Sequence, residues 1–396
     1  MRKDFSLSAV VAGLIAVVVS YAGPSLIIFQ AASAAHLGQA ELSSWIWAVS
    51  IGSGVSAIVL SWWFRAPVIT AWSTPGAALL VSALPNHSYA EAIGAFVFAA
   101  VLITGIGLSG LFETLMNRLP KSIAAAMLAG ILFRFGAQIF TGFVTAPALV
   151  GAMTVAYLAF KRLVPRYAIA LVSLIGIALS AATGMLHFDG IRLEPAIPVF
   201  TRPEFSVAAI VGLGLPLALV TLTGQFVPGI AVLRAFGYPT PASPLVGGTS
   251  IVALLAAPFG AHGINLAAIT AAICSGPEAH PEASKRWVAG VALGAIYIVV
   301  GLFGATLVSL FAALPKELVA AVAGLALLGA IMNGLTSAMS VEAEREPALL
   351  TFLVTASGIS FLDIGSAFWG LTIGVVAAQV LVPRSRAESG AGRASA

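Results

Sequence analysis

Charge is scarce in this chain. Aspartate, glutamate, lysine and arginine make up 9% of its 396 residues and hydrophobic residues 60%, where a soluble globular domain is about a quarter charged. A water-soluble fold is therefore excluded. Apolar runs of roughly 20 residues, the length a helix needs to cross about 30 Å of hydrocarbon, recur from residue 8 to residue 382. The polar gaps between them are too short to hold a soluble domain. Cysteine is nearly missing too: Cys274 stands alone, which rules out an internal disulfide and any cysteine-based metal site. The phosphate-binding pattern GxxxxGK(S/T) is absent, as are HExxH, paired intramembrane aspartates and a Ser–His–Asp set. Neither an enzyme nor a cofactor or bound metal is expected.

What charge there is lies singly at segment ends, so the formal balance of +4 speaks of membrane orientation rather than of nucleic acid. The N-terminus, MRKDFSLSAVVAGLIAVVVSYAGPSLIIFQ, begins basic. Its apolar stretch is too long for a signal peptide and lacks a convincing cleavage site, so it is read as a retained first span.

The chain also repeats itself. EFSVAAIVGL at 204–213 echoes DFSLSAVVAG at 4–13, LPKELVAAVAGLA at 314–326 echoes LPKSIAAAMLAGI at 119–131, and EPALLTFLVTASG at 346–358 echoes APALVGAMTVAYL at 146–158. All three offsets fall between 195 and 200 residues, dividing the chain into halves at 1–184 and 206–383, a linker at 185–205 and a tail at 384–396. Apolar segments in the first half are 8–30, 42–64, 68–83, 90–112, 120–141, 146–162 and 167–184. Their counterparts are 206–233, 243–257, 259–274, 287–312, 315–335, 347–361 and 364–382. The expected fold is an all-α integral membrane protein with 14 transmembrane segments. Seven per half is odd, so the second repeat is inverted relative to the first. With both termini cytoplasmic, 15 of the 19 basic residues lie inside, against Arg192, Arg202 and Lys316 outside and Arg134 within a span, as the positive-inside rule requires.

Two segments break at corresponding places. Alignment on APV (66–68) and APF (257–259) lays APVITAWSTPGAALL over APFGAHGINLAAITA, with Trp72 over Gly263 and Thr74 over Asn265. Each copy has an extended or glycine-loosened lead and then a short helix. Irregular backbone at membrane depth is tolerated only where it is buried in protein or lines a cavity, and paired breaks in inverted repeats point to the substrate site. The two half-helices are expected to aim their N-termini at one another near the midplane. Unpaired N–H groups and partial positive charge there attract an anion.

PVITAWSTPGAALL, LAGILFRFGAQ, TGQFVPGIAVLRAFGY and NLAAITAAICSGPEAHP resemble, in order, signature stretches of the BenE family of bacterial benzoate:proton symporters. The resemblance runs over essentially the whole chain. It implies the seven-plus-seven inverted-repeat fold shared with nucleobase and sulfate/bicarbonate-type transporters. Segments 1–4 and 8–11 then form a core domain and segments 5–7 and 12–14 a gate domain. It further implies import of benzoate or a similar aromatic carboxylate with a proton across the bacterial inner membrane, and folds related to it are commonly homodimers. The alternatives are another small organic or inorganic anion, a nucleobase, or an anion channel of the same fold. The eighth segment carries no carboxylate where the nucleobase carriers have one, and this suits an anionic substrate.

Candidate residues follow from the breaks. Ser73, Thr74 and Asn265 either cap half-helices or contact substrate, and capping can also orient donors. Gln225, between Gly224 and Pro228, either binds substrate or ties loosened backbone together. Trp72, Tyr21 and Gly263 are candidates for lining the cavity. His262 is a candidate proton carrier, because imidazole titrates near neutral pH. Arg134 lies deep in the fifth segment, where an arginine is a functional hypothesis by default; it either meets a carboxylate or gates, or else snorkels outward or pairs with gate-domain carbonyls.

Overall fold

The computed structural model describes residues 6–22, 24–114, 120–165, 167–186, 193–277, 279–361 and 364–382. Glu278, Asp363, Arg2, Lys3, Arg118, Arg166, Arg192, the tail at 384–396 and part of the 185–205 linker lie outside them. The first half runs α1 (Leu7–Ala22), α2 (Pro24–Ala34), α3 (Gln39–Phe64), β1 (Thr70–Trp72), α4 (Thr74–Ala83), α5 (Tyr89–Leu108), α6 (Lys121–Thr145), α7 (Pro147–Leu163) and α8 (Ala168–Ala182). The second half begins with α9 (Val207–Arg234). It continues through α10 (Ala242–Ala256), β2 (Ile264–Leu266), α11 (Ile269–Ser275), α12 (Trp287–Leu302), α13 (Gly304–Ala312) and α14 (Lys316–Ala338). It closes with α15 (Arg345–Ser357), β3 (Ser360–Phe361), β4 (Ile364–Gly365) and α16 (Ser366–Leu381). Among the described residues, eight helices are long and apolar enough to cross a membrane.

Three details depart from the sequence expectation. The run 287–312, read as one segment, is two helices that separate at Phe303 (φ −106°, ψ 31°). The 347–361 run stops early, because Gly358 takes a left-handed conformation (φ 67°) and the chain turns through the β3–β4 hairpin. Helix α9 contains two π-bulges, Ile210–Gly214 and Leu222–Phe226. Such bulges cluster at functional sites.

Packing sorts the helices into two groups. In one, α3 lies on α12, α5 on α10, α1 on α12 and α2 on α4. In the other, α6 lies on α14 and α15, with α7, α8 and α16 beside them. Apolar side chains gain nothing by leaving lipid, so close backbone approach through small residues carries helix association in a bilayer. A Cβ on Gly54 of α3 would stand 2.6 Å from the carbonyl oxygen of Gly294 in α12, and one on Gly107 of α5 would collide with the backbone of Gly247 in α10. Exchanging the halves turns α3 on α12 into α10 on α5, and the glycine pairs exchange with them (247 − 54 = 193; 294 − 107 = 187).

Candidate functional site

The two interrupted segments meet. β1 and β2 pair antiparallel, Thr70 opposite Leu266, Ala71 opposite Asn265 and Trp72 opposite Ile264. This answers where the amides of extended backbone find partners in an apolar interior. Beyond the strands, Ala267 N–H donates to the Ile69 carbonyl at 2.9 Å. Serines of α3 complete the lead into β1: Ser61 donates to the Val68 carbonyl (3.0 Å), while Thr70 Oγ1 accepts from Ser56 (2.9 Å) and donates to the Ser53 carbonyl (2.7 Å). The strands correspond at an offset of 194 (264 − 70), so the Ala-Pro alignment, which put Trp72 over Gly263, is out by three residues. The second lead is longer, 258 to 264 against 67 to 70, and His262 occupies the extra turn.

The half-helix ends differ. Ser73 caps α4: its Oγ accepts from Gly76 N–H at 3.0 Å and from Thr221 Oγ1 at 3.1 Å. With both lone pairs engaged, the hydroxyl of Ser73 has only its proton left to offer. Pro75 supplies no N–H, so among the described residues the Thr74 N–H is the one left open in the first turn of α4. α11 has no side-chain cap. Its Thr270 and Ala271 N–H groups lack acceptors among the described residues. The more open helix start therefore belongs to α11. Its far end is held by Arg286, which donates to the Ser275 carbonyl at 2.8 Å and the His280 carbonyl at 2.7 Å, a favourable charge at a helix C-terminus.

Asn265 stands out. It is fully buried, and neither Oδ1 nor Nδ2 has a hydrogen-bond partner among the described residues; leaving a buried polar group unpaired costs about 1–3 kcal/mol. A Cβ placed on Gly263 would lie 3.6 Å from Ser73 Cβ, 3.8 Å from Asn265 Nδ2 and 3.9 Å from Thr221 Oγ1. Ser73, Asn265 and Thr221 therefore converge on the bare face of Gly263. A cavity of about 10 Å³ adjoins it, its lining including Phe96, Leu217, Thr221, Ser250, His262 and Gly263. The arrangement brings hydroxyl and amide groups together in a buried surround.

The other candidates fall around this point or away from it. Trp72 is buried, its indole N–H without a partner among the described residues. Its ring forms a trio with Tyr21 (centroids 5.3 Å apart) and Tyr297 (5.8 Å), while Tyr21 Oη bonds Ser50 at 2.5 Å. Gln225 sits half-buried in the second π-bulge, and its side chain bonds to nothing among the described residues. Leu128 of α6 lies over this bulge, its methyls 3.5 and 3.8 Å from where a Gly224 Cβ would stand, with Pro75 at 3.4 Å. His262 has both ring nitrogens engaged, Nδ1 with Trp45 Nε1 at 2.9 Å and Nε2 with the Ser73 carbonyl at 3.0 Å. Arg134 is exposed on α6 and turned toward α15, where a Cβ on Gly358 would collide with its Nη1. It rests on a helix C-terminus and not on the strand pair. Two partners escaped the sequence reading. Thr221 lies in the TLTGQF run beside Gln225, a signal that could have found it; nothing in the sequence singles out Trp45.

Comparison with known proteins follows the same line. The sequence profile of the BenE family, described as benzoate membrane transport protein, matches residues 3–380. The chain is 47% identical over 382 residues to the benzoate membrane transport protein of Acinetobacter baylyi, covering 96% of this chain and 97% of that one. It is 46% identical over 370 residues to the inner membrane protein YdcO of Escherichia coli, covering 93% and 95%. Among solved structures it resembles SLC26A9 (TM-score 0.64, 14% identity), covering 96% of this chain and 66% of that one. It also resembles the transmembrane domain of the cyanobacterial bicarbonate transporter BicA (TM-score 0.55, 15% identity), covering 93% and 97%. At such identities the likeness is one of fold.

Proposed function

Since the chain belongs to the BenE family of benzoate membrane transport proteins, we propose that it is a secondary transporter importing benzoate, or a similar small aromatic carboxylate, with a proton by alternating access. The observation that carries this reading is the unpaired amide of Asn265 beside Ser73 and Thr221, where two half-helices meet. Substrate binds at that point, with Ser73, Thr74, Asn265 and Gln225 as polar contacts and Trp72, Tyr21 and Gly263 shaping the pocket. Helices α1–α5 and α9–α13, with the strand pair, act as the core domain. Helices α6–α8 and α14–α16 act as the gate, with Leu128 bearing on Gly224 and Pro75 across the boundary. Rocking of one domain against the other exposes the site to each side in turn. The working form is a homodimer in the bacterial inner membrane with both termini cytoplasmic.

Electrostatics gives the reason for a coupled proton. Importing one negative charge against a potential negative inside costs about 2.3 kcal/mol per 100 mV. One proton per anion makes the step electrically neutral and adds the pH gradient as a driving force. Purified protein in liposomes is expected to accumulate labelled benzoate above equilibrium under an inward proton gradient and to stop when a protonophore collapses it. Passive equilibration alone would indicate a channel. Accumulation of a different anion or of a nucleobase in a substrate panel, with none of benzoate, would reassign the substrate.

A further inference from the structure

His262 is 2% exposed, and its tautomer is dictated by its neighbours. Indole Nε1 is a donor only, so the Nδ1 that receives it from Trp45 at 2.9 Å bears no proton. A carbonyl oxygen is an acceptor only, so the imidazole proton lies on Nε2, 3.0 Å from the Ser73 oxygen. Protonating Nδ1 would set two donors head to head and expel Trp45. The ring is also wedged edge-on between Trp45 (centroids 5.5 Å apart, 72°) and Phe96 (6.3 Å, 65°). Around it, α9 contributes Leu217 and Thr221 and α10 contributes Ser250 and Ala253. The carboxylates of α3 and α5, Glu41 and Glu91, lie in those helices' first turns. Tyr89, also at the start of α5, has its hydroxyl beside Gly260. None of these groups hydrogen-bonds the imidazole.

We propose that His262 is a positioning residue held neutral, a crosspiece that fixes the Ser73 carbonyl to the second lead and to α3, and that it does not carry the transported proton. Through it, one chain of bonds links Trp45, His262, Ser73 and Thr221, spanning both halves of the molecule and holding the cap of α4 in register with β2. The proton of a coupled cycle then travels on another group, the substrate carboxyl included. The inference rests on the transport reading only for its uptake readout.

Two substitutions separate positioning from titration. His262→Gln keeps one acceptor and one donor but cannot titrate between about pH 5.5 and about pH 7.5. It should retain wild-type KM within about twofold and the wild-type pH profile of benzoate uptake in liposomes. His262→Phe fills the space without the bonds and should raise KM about tenfold, again with an unchanged profile. Trp45→Phe should reproduce that rise, and the double variant Trp45→Phe, His262→Phe should be no worse than either single one, as members of one unit behave. Loss of pH dependence in His262→Gln at unchanged KM would overturn the proposal. A readout free of substrate is the 15N spectrum of histidine-labelled protein, with His262 assigned by its disappearance in His262→Gln. The Nε2–H tautomer should persist throughout that pH range, and a doubly protonated ring at its acid end would overturn the proposal. If wild-type protein takes up no benzoate, the transport reading fails while the spectrum still decides the role of His262.

Discussion

Replacing Asn265 by leucine should stabilise the substrate-free protein and abolish its response to substrate. The side chain is fully buried with Oδ1 and Nδ2 both unpaired. At about 1–3 kcal/mol for each unsatisfied group, the resting protein carries a penalty of about 2–6 kcal/mol. Leucine has nearly the same shape and no polar atoms, so Asn265→Leu removes that penalty without opening a cavity. Unfolding entropies near 2 cal/mol/K per residue over 396 residues give about 0.8 kcal/mol per kelvin. The expected rise in Tm is thus about 2–7 °C, read by thermal shift on detergent-solubilised protein. Saturating benzoate should raise the wild-type Tm by about 3 °C at a concentration 100 times Kd, where linkage supplies about 2.7 kcal/mol, and should leave Asn265→Leu unmoved. A lower Tm for the variant without substrate would refute the reasoning, because the amide would then be bonded in the resting state.

The neighbouring residues give sharper contrasts. Ser73→Ala removes the cap of α4 and should cost about 1 kcal/mol of stability together with a several-fold rise in KM for uptake; an unchanged KM would confine Ser73 to capping. Gly224→Leu places methyls where Leu128 and Pro75 already stand within 3.5 Å. It should abolish uptake in protein that remains monodisperse, and retained uptake would remove this contact from the transport path. Gly260→Ala forces a side chain onto a backbone at φ 109° and within 2.7 Å of the Tyr89 hydroxyl, so Tm should fall by about 1–4 °C, the equivalent of about 1–3 kcal/mol of strain. Arg134→Gln should leave uptake KM within about twofold, since the guanidinium rests on the end of α15; a tenfold rise would place Arg134 at the substrate.

The breaks at 67–84 and 257–274 are legible in the sequence because membrane depth penalises unpaired amides. A Ser-Thr-Pro helix start or a Gly-Ile-Asn run inside an apolar segment has few explanations besides a built site. Strand register is another matter. The Ala-Pro pairs look like anchors, yet the second lead has three more residues, and only the pairing of Ala71 with Asn265 reveals the offset. Histidine and arginine are hard to place from sequence for a related reason. Their chemistry is visible in one dimension, while their partners, Trp45 at 217 residues from His262 and Gly358 beside Arg134, come from distant elements. The π-bulges of α9 leave hardly a trace: Gly212, Gly214 and Gly224 permit them, but glycine is common throughout the chain.

The asymmetry of the two half-helices sets a direction for binding. α4 consumes most of its N-terminal donors on its own serine cap and proline, whereas α11 starts with an alanine at its N-cap and N–H groups left open. In the proposed site an anion would therefore be drawn toward α11, and the amide of Asn265 lies three residues before the α11 N-cap, on the strand that leads into it. The first half contributes rigidity in exchange: Ser53, Ser56 and Ser61 of α3 tie down the approach to β1, and Ser73 locks both to Thr221 and to His262. The two halves thus differ, one holding the strand pair in place and the other presenting the open N–H groups.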